Sequence, residues 1–311
     1  MSPLKIYWDR TEHKFQFNSK DPDPWHYAIV PCGRCPECRK KWRTQLAQRV
    51  RYELGNYAYD EVCFLTLTVS DDKLEEVFPN GSLNHRYFQL FMKRLRRKLE
   101  YHGFKGKIKY LVAGEYGEKN GRPHFHMIMF GYKPQDLKFF YKSKKGYNCY
   151  KSSFLESVWG AGFVDVGDVN EHTAPYMVKY ICKFAEIKQD EFVVNGNQVR
   201  KPYIVYPKKI LGLDFFLANY EQILNNGYIL DSRGIKQGIP RSYLNYCENT
   251  DNIAIQECYK LYKAKCELII AESNKEIMSK YNLHYFDLYD WVLQQGKVKR
   301  EIYNSFKNKN R

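Results

Sequence analysis

From Cys38 to Leu54 apolar residues return every four positions, at Trp42, Leu46, Val50 and Leu54, while Arg39, Lys40, Lys41, Arg43, Arg49 and Arg51 fall largely elsewhere. That spacing predicts an amphipathic helix with a basic outer face. Phe64-Leu-Thr-Leu-Thr-Val69 is apolar or β-branched throughout and predicts a strand covered on both faces. Residues 85–101 resume the helical period, with Phe88, Phe91, Met92, Leu95 and Leu99 on one stripe and Lys93, Arg94, Arg96, Arg97 and Lys98 away from it. Ile108–Tyr116 and His124–Phe130 read as the strands of a hairpin joined by the polar turn Gly117–Arg122, with a shorter strand at Phe163–Val169. Thr173 is placed to cap a helix that carries Pro175 in its first turn and runs to about Lys188.

This order predicts an α+β fold with an antiparallel sheet. After Gln189 the texture changes: a small hairpin is expected over Phe192–Val199, a Pro-punctuated stretch follows, Asn226-Gly227 has the look of a helix end, and residues from about Asp251 read as helices. A boundary between about 190 and 212 follows from this change. The expected domains are 1–195, with the sheet, a Cys-rich N-terminal segment and the basic helix, and 196–311, a mostly helical accessory region.

Within the hairpin, His124 and His126 stand two apart on a strand, so both imidazoles project from one face. Glu115 lies opposite them across the turn and would complete a three-ligand metal site with positions left open; Glu118, inside the turn, is the alternative carboxylate. Such a set suits Mn²⁺ or another first-row ion as well as Mg²⁺. Two core histidines, each satisfied by a hydrogen bond, would show the same spacing. The helix from Thr173 carries Tyr176-Met-Val-Lys179 followed by Tyr180-Ile-Cys-Lys183, so two phenols and two ammonium groups fall on one stripe, with Met177, Ile181 and Phe184 on the other. A tyrosine can serve as a covalent nucleophile; snorkelling Tyr and Lys on an exposed helix are the plain alternative. Cys32, Cys35 and Cys38 are spaced like a zinc knuckle one ligand short, with His26 or Cys63 as candidates for the fourth.

Composition sharpens the choice of partner. The chain has 50 Lys and Arg against 35 Asp and Glu, a formal charge of +15. Residues 84–151 contribute +13, residues 32–51 +6 and residues 297–311 +5, leaving −9 on the remainder. Three basic segments on an acidic body favour a polyanion held at defined places over general stickiness or a membrane surface. No run approaches the ~20 apolar residues of a spanning helix, and the opening MSPLKIYWDR carries charges where a signal peptide is apolar. The expectation is therefore a soluble, cytoplasmic protein whose 9 cysteines are thiols or metal ligands.

Phe64-Leu-Thr-Leu-Thr68, then Gly114-Glu-Tyr-Gly with Gly121-Arg-Pro-His-Phe-His126, then the Tyr-x-x-Lys helix, resemble in that order the three motifs of HUH endonucleases that start rolling-circle replication. Two tyrosines four apart and the Pro31-Cys-Gly-Arg-Cys-Pro-Glu-Cys-Arg39 segment are similar to the initiators of microviruses, in the gokushovirus branch. The resemblance covers roughly residues 30–190. It implies an RRM- or ferredoxin-like core; Mg²⁺ or Mn²⁺ held by His124, His126 and Glu115; and attack by Tyr176 or Tyr180, assisted by Lys179 or Lys183, on single-stranded or melted origin DNA. It further implies a 5′-phosphotyrosine link, strand rejoining, host helicase and polymerase as partners, and the host cytoplasm as the site of action. Arg94, Arg96, Arg97, Lys98 and Arg122 are the expected DNA contacts. A non-catalytic single-strand-binding protein, or a nuclease using water, would share part of this pattern.

Overall fold

The computed structural model of the 311-residue chain describes residues 3–12, 14–16, 20–33, 35–117, 120–143, 146–170, 173–181, 192–231, 233–284, 287–288, 290–292 and 294–295. In chain order the elements are β1 (Pro3–Asp9), β2 (Lys14–Gln16), β3 (Pro22–Pro31), α1 (Pro36–Leu54), β4 (Val62–Leu67), the single turn α2 (Leu74–Val77) and α3 (His85–Tyr101). Next come β5 (Lys109–Tyr116), β6 (Pro123–Phe130), β7 (Lys138–Lys142), β8 (Asn148–Lys151), α4 (Ser153–Trp159), β9 (Val164–Asp168) and α5 (Ala174–Ile181). The remainder is β10 (Phe192–Val194), β11 (Asn197–Val199), β12 (Tyr203–Val205), α6 (Leu213–Asn226), β13 (Tyr228–Leu230), β14 (Lys236–Gly238), α7 (Arg241–Asn249) and α8 (Ile253–Tyr281).

The chain divides into two units, one of Met1–Trp42, Glu221–Gly238 and Leu244–Arg311, the other of Arg43–Tyr220 and Ile239–Tyr243. In the first, β2, β1 and β3 form an antiparallel sheet. The buried Asp9 carboxylate organises its end by accepting backbone N–H groups of Thr11, Glu12 and Lys20 at 2.8–3.1 Å. Among the described residues no helix is long and apolar enough to cross a membrane.

The second unit is built on a seven-stranded sheet in the order β12-β5-β6-β4-β9-β8-β7, antiparallel at every pairing. Leu65 and Leu67 of β4, Phe125, Met127 and Met129 of β6, and Val164 and Val166 of β9 share one face of it. That face is covered by Phe88, Phe91, Met92, Leu95 and Leu99 of α3 and by Leu155, Val158 and Trp159 of α4, all in one buried cluster. The expected stripe of α3 is therefore its packing face. Asn84 caps α3 by accepting the Tyr87 N–H, and α4 runs from a Ser152 cap to Gly160, whose φ of 66° lies in the left-handed region where glycine is at ease.

Several elements depart from the sequence expectation. The sheet of β1–β3, the β7–β8 hairpin and α4 lie in stretches where no element was expected. The sheet also runs past residue 195, because Tyr203–Val205 adds to the free edge of β5. The helix after β9 is described as far as Ile181, and its start is set by Asn170 together with Thr173.

Truncating a ring in the cluster tests the packing. Phe91→Ala is expected to destabilise the sheet unit by about 3–5 kcal/mol, read from the midpoint of urea denaturation followed by circular dichroism. A change below about 1 kcal/mol would mean that Phe91 does not carry the contact between α3 and the sheet.

Candidate active site

The side chains on the other face of the sheet follow from register. Residues directly opposite on antiparallel strands point the same way. Glu115 of β5 faces His124 of β6, and His126 faces Thr66 of β4. The imidazole and carboxylate atoms converge: His124 Nε2 and His126 Nε2 each lie 2.9 Å from Glu115 Oε1 and 3.2 Å from each other. Of the two carboxylates weighed from the sequence, Glu115 is the one brought to the histidines; Glu118 lies outside the described residues.

Both rings are oriented from behind. His124 Nδ1 donates to the Arg122 carbonyl at 3.1 Å, and His126 Nδ1 is 3.0 Å from Thr66 Oγ1. Phe64 stacks on His126 with centroids 5.4 Å apart. Holding Nδ1 in this way turns Nε2 toward the cluster as a lone-pair donor, the second-layer arrangement that fixes metal-binding histidines.

Glu115 itself is 4% exposed. Burial favours the protonated carboxyl, but hydrogen bonds from His124 and His126, and their charge, overcome it and hold the group ionised, down at about 2. Oε2 remains without a hydrogen-bond partner among the described residues. Glu53, equally buried, shows the usual solution: Lys109 and Tyr57 reach its Oε1 and the Gly212 N–H its Oε2. Glu115 has no such set.

Three lone-pair atoms this close repel unless protons or a cation lie among them. Two ligand atoms each about 2.1 Å from an ion and at right angles are about 3.0 Å apart, which matches the 2.9, 2.9 and 3.2 Å seen here. The donor set fits one divalent cation held on one side, with its other side open.

The cluster opens on a cavity of ≈ 610 Å³ lined by Phe64, Thr66 and His126 from the sheet and by Tyr176 and Met177 from α5. Reciprocal bonds fix the helix that carries the tyrosine: Asn170 Oδ1 accepts the Thr173 N–H at 2.9 Å, and Thr173 Oγ1 accepts the Asn170 N–H at 2.8 Å. Ala174, Met177 and Val178 are buried, Tyr176 is half-buried with its ring 5.4 Å from that of Tyr147, and Lys179 is exposed. Tyr180 lies in α5 with its side chain outside the described residues, as Lys183 does altogether. Asp165 and Asp168 also line the cavity, but Lys151 and Lys133 pair with them at 2.7 Å each, so their charge is countered locally.

The basic residues expected to contact DNA do not all stand on this face. Arg94, Arg96, Arg97 and Lys98 ride on α3, which covers the opposite face. The Arg94 guanidinium donates to the Val158 and Trp159 carbonyls at 3.0 Å, ending α4, and Lys98 reaches Ser157. Arg122 pairs with Asp71 and the Val69 carbonyl beside the hairpin turn. Thr66, Tyr147, Asp165 and Asp168 were not singled out from the sequence; for Thr66 the available signal was one polar residue alternating within an apolar strand.

In the first unit, the sulfurs of Cys32, Cys35 and Cys38 lie within 4.8 Å of one another and could hold a metal. The Cys35 N–H donates to Cys32 Sγ at 3.2 Å. Burial pushes the Cys38 thiol up to about 11, with the neighbouring thiols adding to it. Cys63 is buried in the sheet core of the second unit with its thiol toward the Tyr132 carbonyl, and burial pushes it up to about 12. His26 lies on β3 with its side chain outside the described residues.

The fold is thus an α+β antiparallel sheet with a two-histidine, one-carboxylate cluster on its open face. Residues 62–185 match the family of replication-associated proteins described under the name ORF2. Over 309 residues the chain is 28% identical to replication-associated protein VP4 of Bdellovibrio phage phiMH2K, covering 97% of this chain and 95% of that one. It is 29% identical over 256 residues to replication-associated protein ORF4 of Chlamydia phage 1 (81% of this chain, 62% of the relative), and 31% identical over 216 residues to replication-associated protein ORF2 of Spiroplasma virus 4 (67% and 64%). No solved structure matches. Over residues 62–185 the chain is thus similar to this family of replication-associated proteins.

Calorimetric titration with Mn²⁺ tests the cluster. Glu115→Gln is expected to abolish measurable binding, and Thr66→Val to weaken it by about 10- to 100-fold with Thr66→Ser largely restoring it. Binding by Glu115→Gln as tight as by the parent would remove Glu115 from the ligand set.

Proposed function

We propose that this protein is an HUH-type endonuclease that initiates rolling-circle replication of a small circular single-stranded DNA phage genome. The observation that carries this reading is one cavity that exposes His126 of the cluster and the hydroxyl-bearing Tyr176 together. On this reading it nicks one strand of the replicative form at the origin, stays attached to the 5′ end, and later rejoins the displaced strand.

Mg²⁺ or Mn²⁺ bound by His124, His126 and Glu115 would polarise the scissile phosphate and stabilise the charge that develops on it. The protein's own part is to hold that phosphate at the open side of the cluster and to aim the phenol at it. The Tyr176 oxygen bonds to phosphorus as the bond to the 3′ oxygen breaks. The phenolic proton leaves and the 3′ oxygen ends as a hydroxyl that primes synthesis. An ordinary phenol, with a pKa near 10, is a weak nucleophile at neutral pH; Lys179 or Lys183 would favour the phenolate or steady the phosphate. Because the ester is exchanged and not hydrolysed, a second attack can seal the strand. Tyr180 would allow the two tyrosines to alternate. Host helicase would then separate the strands while host polymerase extends the primer.

We further infer that Cys32, Cys35 and Cys38 bind a structural Zn²⁺. Three thiols packed this closely favour a soft cation over three protonated groups, and thiolate is the form that binds.

The transesterification is tested with a labelled origin oligonucleotide and Mn²⁺. The parent protein is expected to form a denaturant-resistant protein–DNA adduct that His126→Ala loses while keeping most of its DNA affinity. If Tyr176→Phe, Tyr180→Phe still forms the adduct, the tyrosines are not the nucleophiles; product without any adduct would point to water instead. For the cysteines, elemental analysis of the purified protein is expected to find about one zinc per chain, lost in Cys35→Ser; a metal content unchanged by that substitution would refute the site.

A further inference from the structure

The outer edge of the sheet carries large rings that packing does not explain. Between Lys138 and Lys151 the chain has five lysines, five aromatic residues and no acid. Phe140 and, just before β9, Phe163 are 61% and 57% exposed, and Tyr141 and Tyr147 are exposed as well.

Cross-strand register assigns these rings to a face. Tyr141 of β7 lies opposite Cys149 of β8, Cys149 opposite Gly167 of β9, and Gly167 opposite Phe64 of β4, so Tyr141 shares the face of Thr66 and His126. A bulge between Phe139 and Tyr141 breaks the alternation at Phe140. Lys151, whose ammonium pairs with Asp165 on that same face, stands 5.0 Å from the Phe140 ring and 5.3 Å from the Phe163 ring. Phe139 lies opposite Tyr150, on the α3 face.

The rings are also continuous with the candidate active site. The cavity that opens on His126 and Tyr176 extends to Tyr141, Lys142 and Tyr147. Four strand spacings separate β6 from β7, about 19 Å, the span of a few nucleotides of an extended strand.

We propose that Phe140, Tyr141 and Phe163, gathered around Lys151, form a base-stacking platform that holds a single DNA strand on its way across the sheet to the cluster. Exposed rings interleaved with lysines are the chemistry that binds single strands without reading sequence: rings take the base faces and ammonium groups follow the phosphates. A duplex keeps its base faces internal and cannot use the rings. The identity of the polyanion as DNA rests on the replication reading above; the platform itself does not depend on strand cleavage.

The experiment is fluorescence anisotropy without added Mg²⁺ or Mn²⁺, so that no cleavage enters, with a labelled oligo-dT 20-mer, the same length of abasic strand, and a duplex. Phe140→Ala, Phe163→Ala is expected to bind oligo-dT at least about tenfold more weakly than the parent, with unchanged binding to the abasic strand and the duplex and an unchanged salt slope. Phe139→Ala, an exposed ring removed from the other face of the same strand, is expected to bind oligo-dT like the parent. Phe140→Trp keeps a stacking ring and is expected to retain affinity, with its emission quenched by the oligonucleotide. Equal loss toward all three ligands, an effect of Phe139→Ala as large as that of the double variant, or parent-like binding by the double variant would overturn the platform. So would a double variant that loses only its affinity for anionic lipid vesicles, which would assign the rings to a membrane. A platform that passes these tests in a protein that forms no covalent adduct would refute the nicking mechanism alone.

Discussion

The register between β5 and β6 is the constraint on which the site depends. Alternation along β6 sends Phe125, Met127 and Met129 into the core and His124 and His126 out of the opposite face. A slip of one residue would exchange the two sets. Each of those three side chains contributes roughly 1.5–3 kcal/mol by being buried, so a slip costs several kcal/mol before the imidazoles are considered. The apolar half of the strand therefore fixes the polar half: Glu115 meets His124 because Phe125 fills the space beneath Phe78, Phe88 and Trp159.

What that register creates is a buried carboxylate the protein does not satisfy alone. Glu53 and Glu115 make a controlled comparison within one unit. Both are carboxylates out of water, where an uncompensated charge is costly. Around Glu53 a lysine, a tyrosine and a backbone N–H supply donors to both oxygens. Around Glu115 the nearest groups are two imidazoles whose Nδ1 atoms are already engaged behind them, and one oxygen is left over. A stability-optimised core would not keep such a group. A site that presents anionic and lone-pair donors to a divalent cation needs it, and the cavity beside it gives a ligand access.

Period and spacing made much of this legible. The two-residue spacing of the histidines predicted their shared face, and the hairpin reading placed Glu115 opposite them, because strand periodicity is a strong local signal. Helix α3 was legible as an element, yet the side of the sheet on which its lysines and arginines stand was not: a run of charge tells that a helix face is solvated, not which side of a sheet the helix covers. Arg94 illustrates the ambiguity, since its guanidinium ends α4 and does not face the cavity. The β7–β8 hairpin was missed because its aromatic residues are flanked by lysines and, with a bulge in β7, show no two-residue alternation. Tyr203–Val205 joins the sheet through an edge pairing about 90 residues away in sequence, which no local pattern encodes.

Antiparallel pairing carries the identity of a face from strand to strand, and this is how one sheet can combine features that are far apart in sequence. His126, Thr66, Asp165 and Lys151 stand in one cross-strand line from β6 through β4 and β9 to β8. Their relative positions are set by the backbone ladder and the core beneath it, so the protein loses little freedom when a ligand is laid along the line; the ordering cost falls on the ligand. The line is also nearly neutral in its own charges, because Asp165 is matched by Lys151 and, beside the line, Asp168 by Lys133. Among the described residues of the line and its flanks, a phosphate backbone placed there meets no uncompensated carboxylate other than Glu115, the group that a bound cation would neutralise. The same pairing that makes the face acceptable to a polyanion therefore concentrates its demand for a metal at a single point.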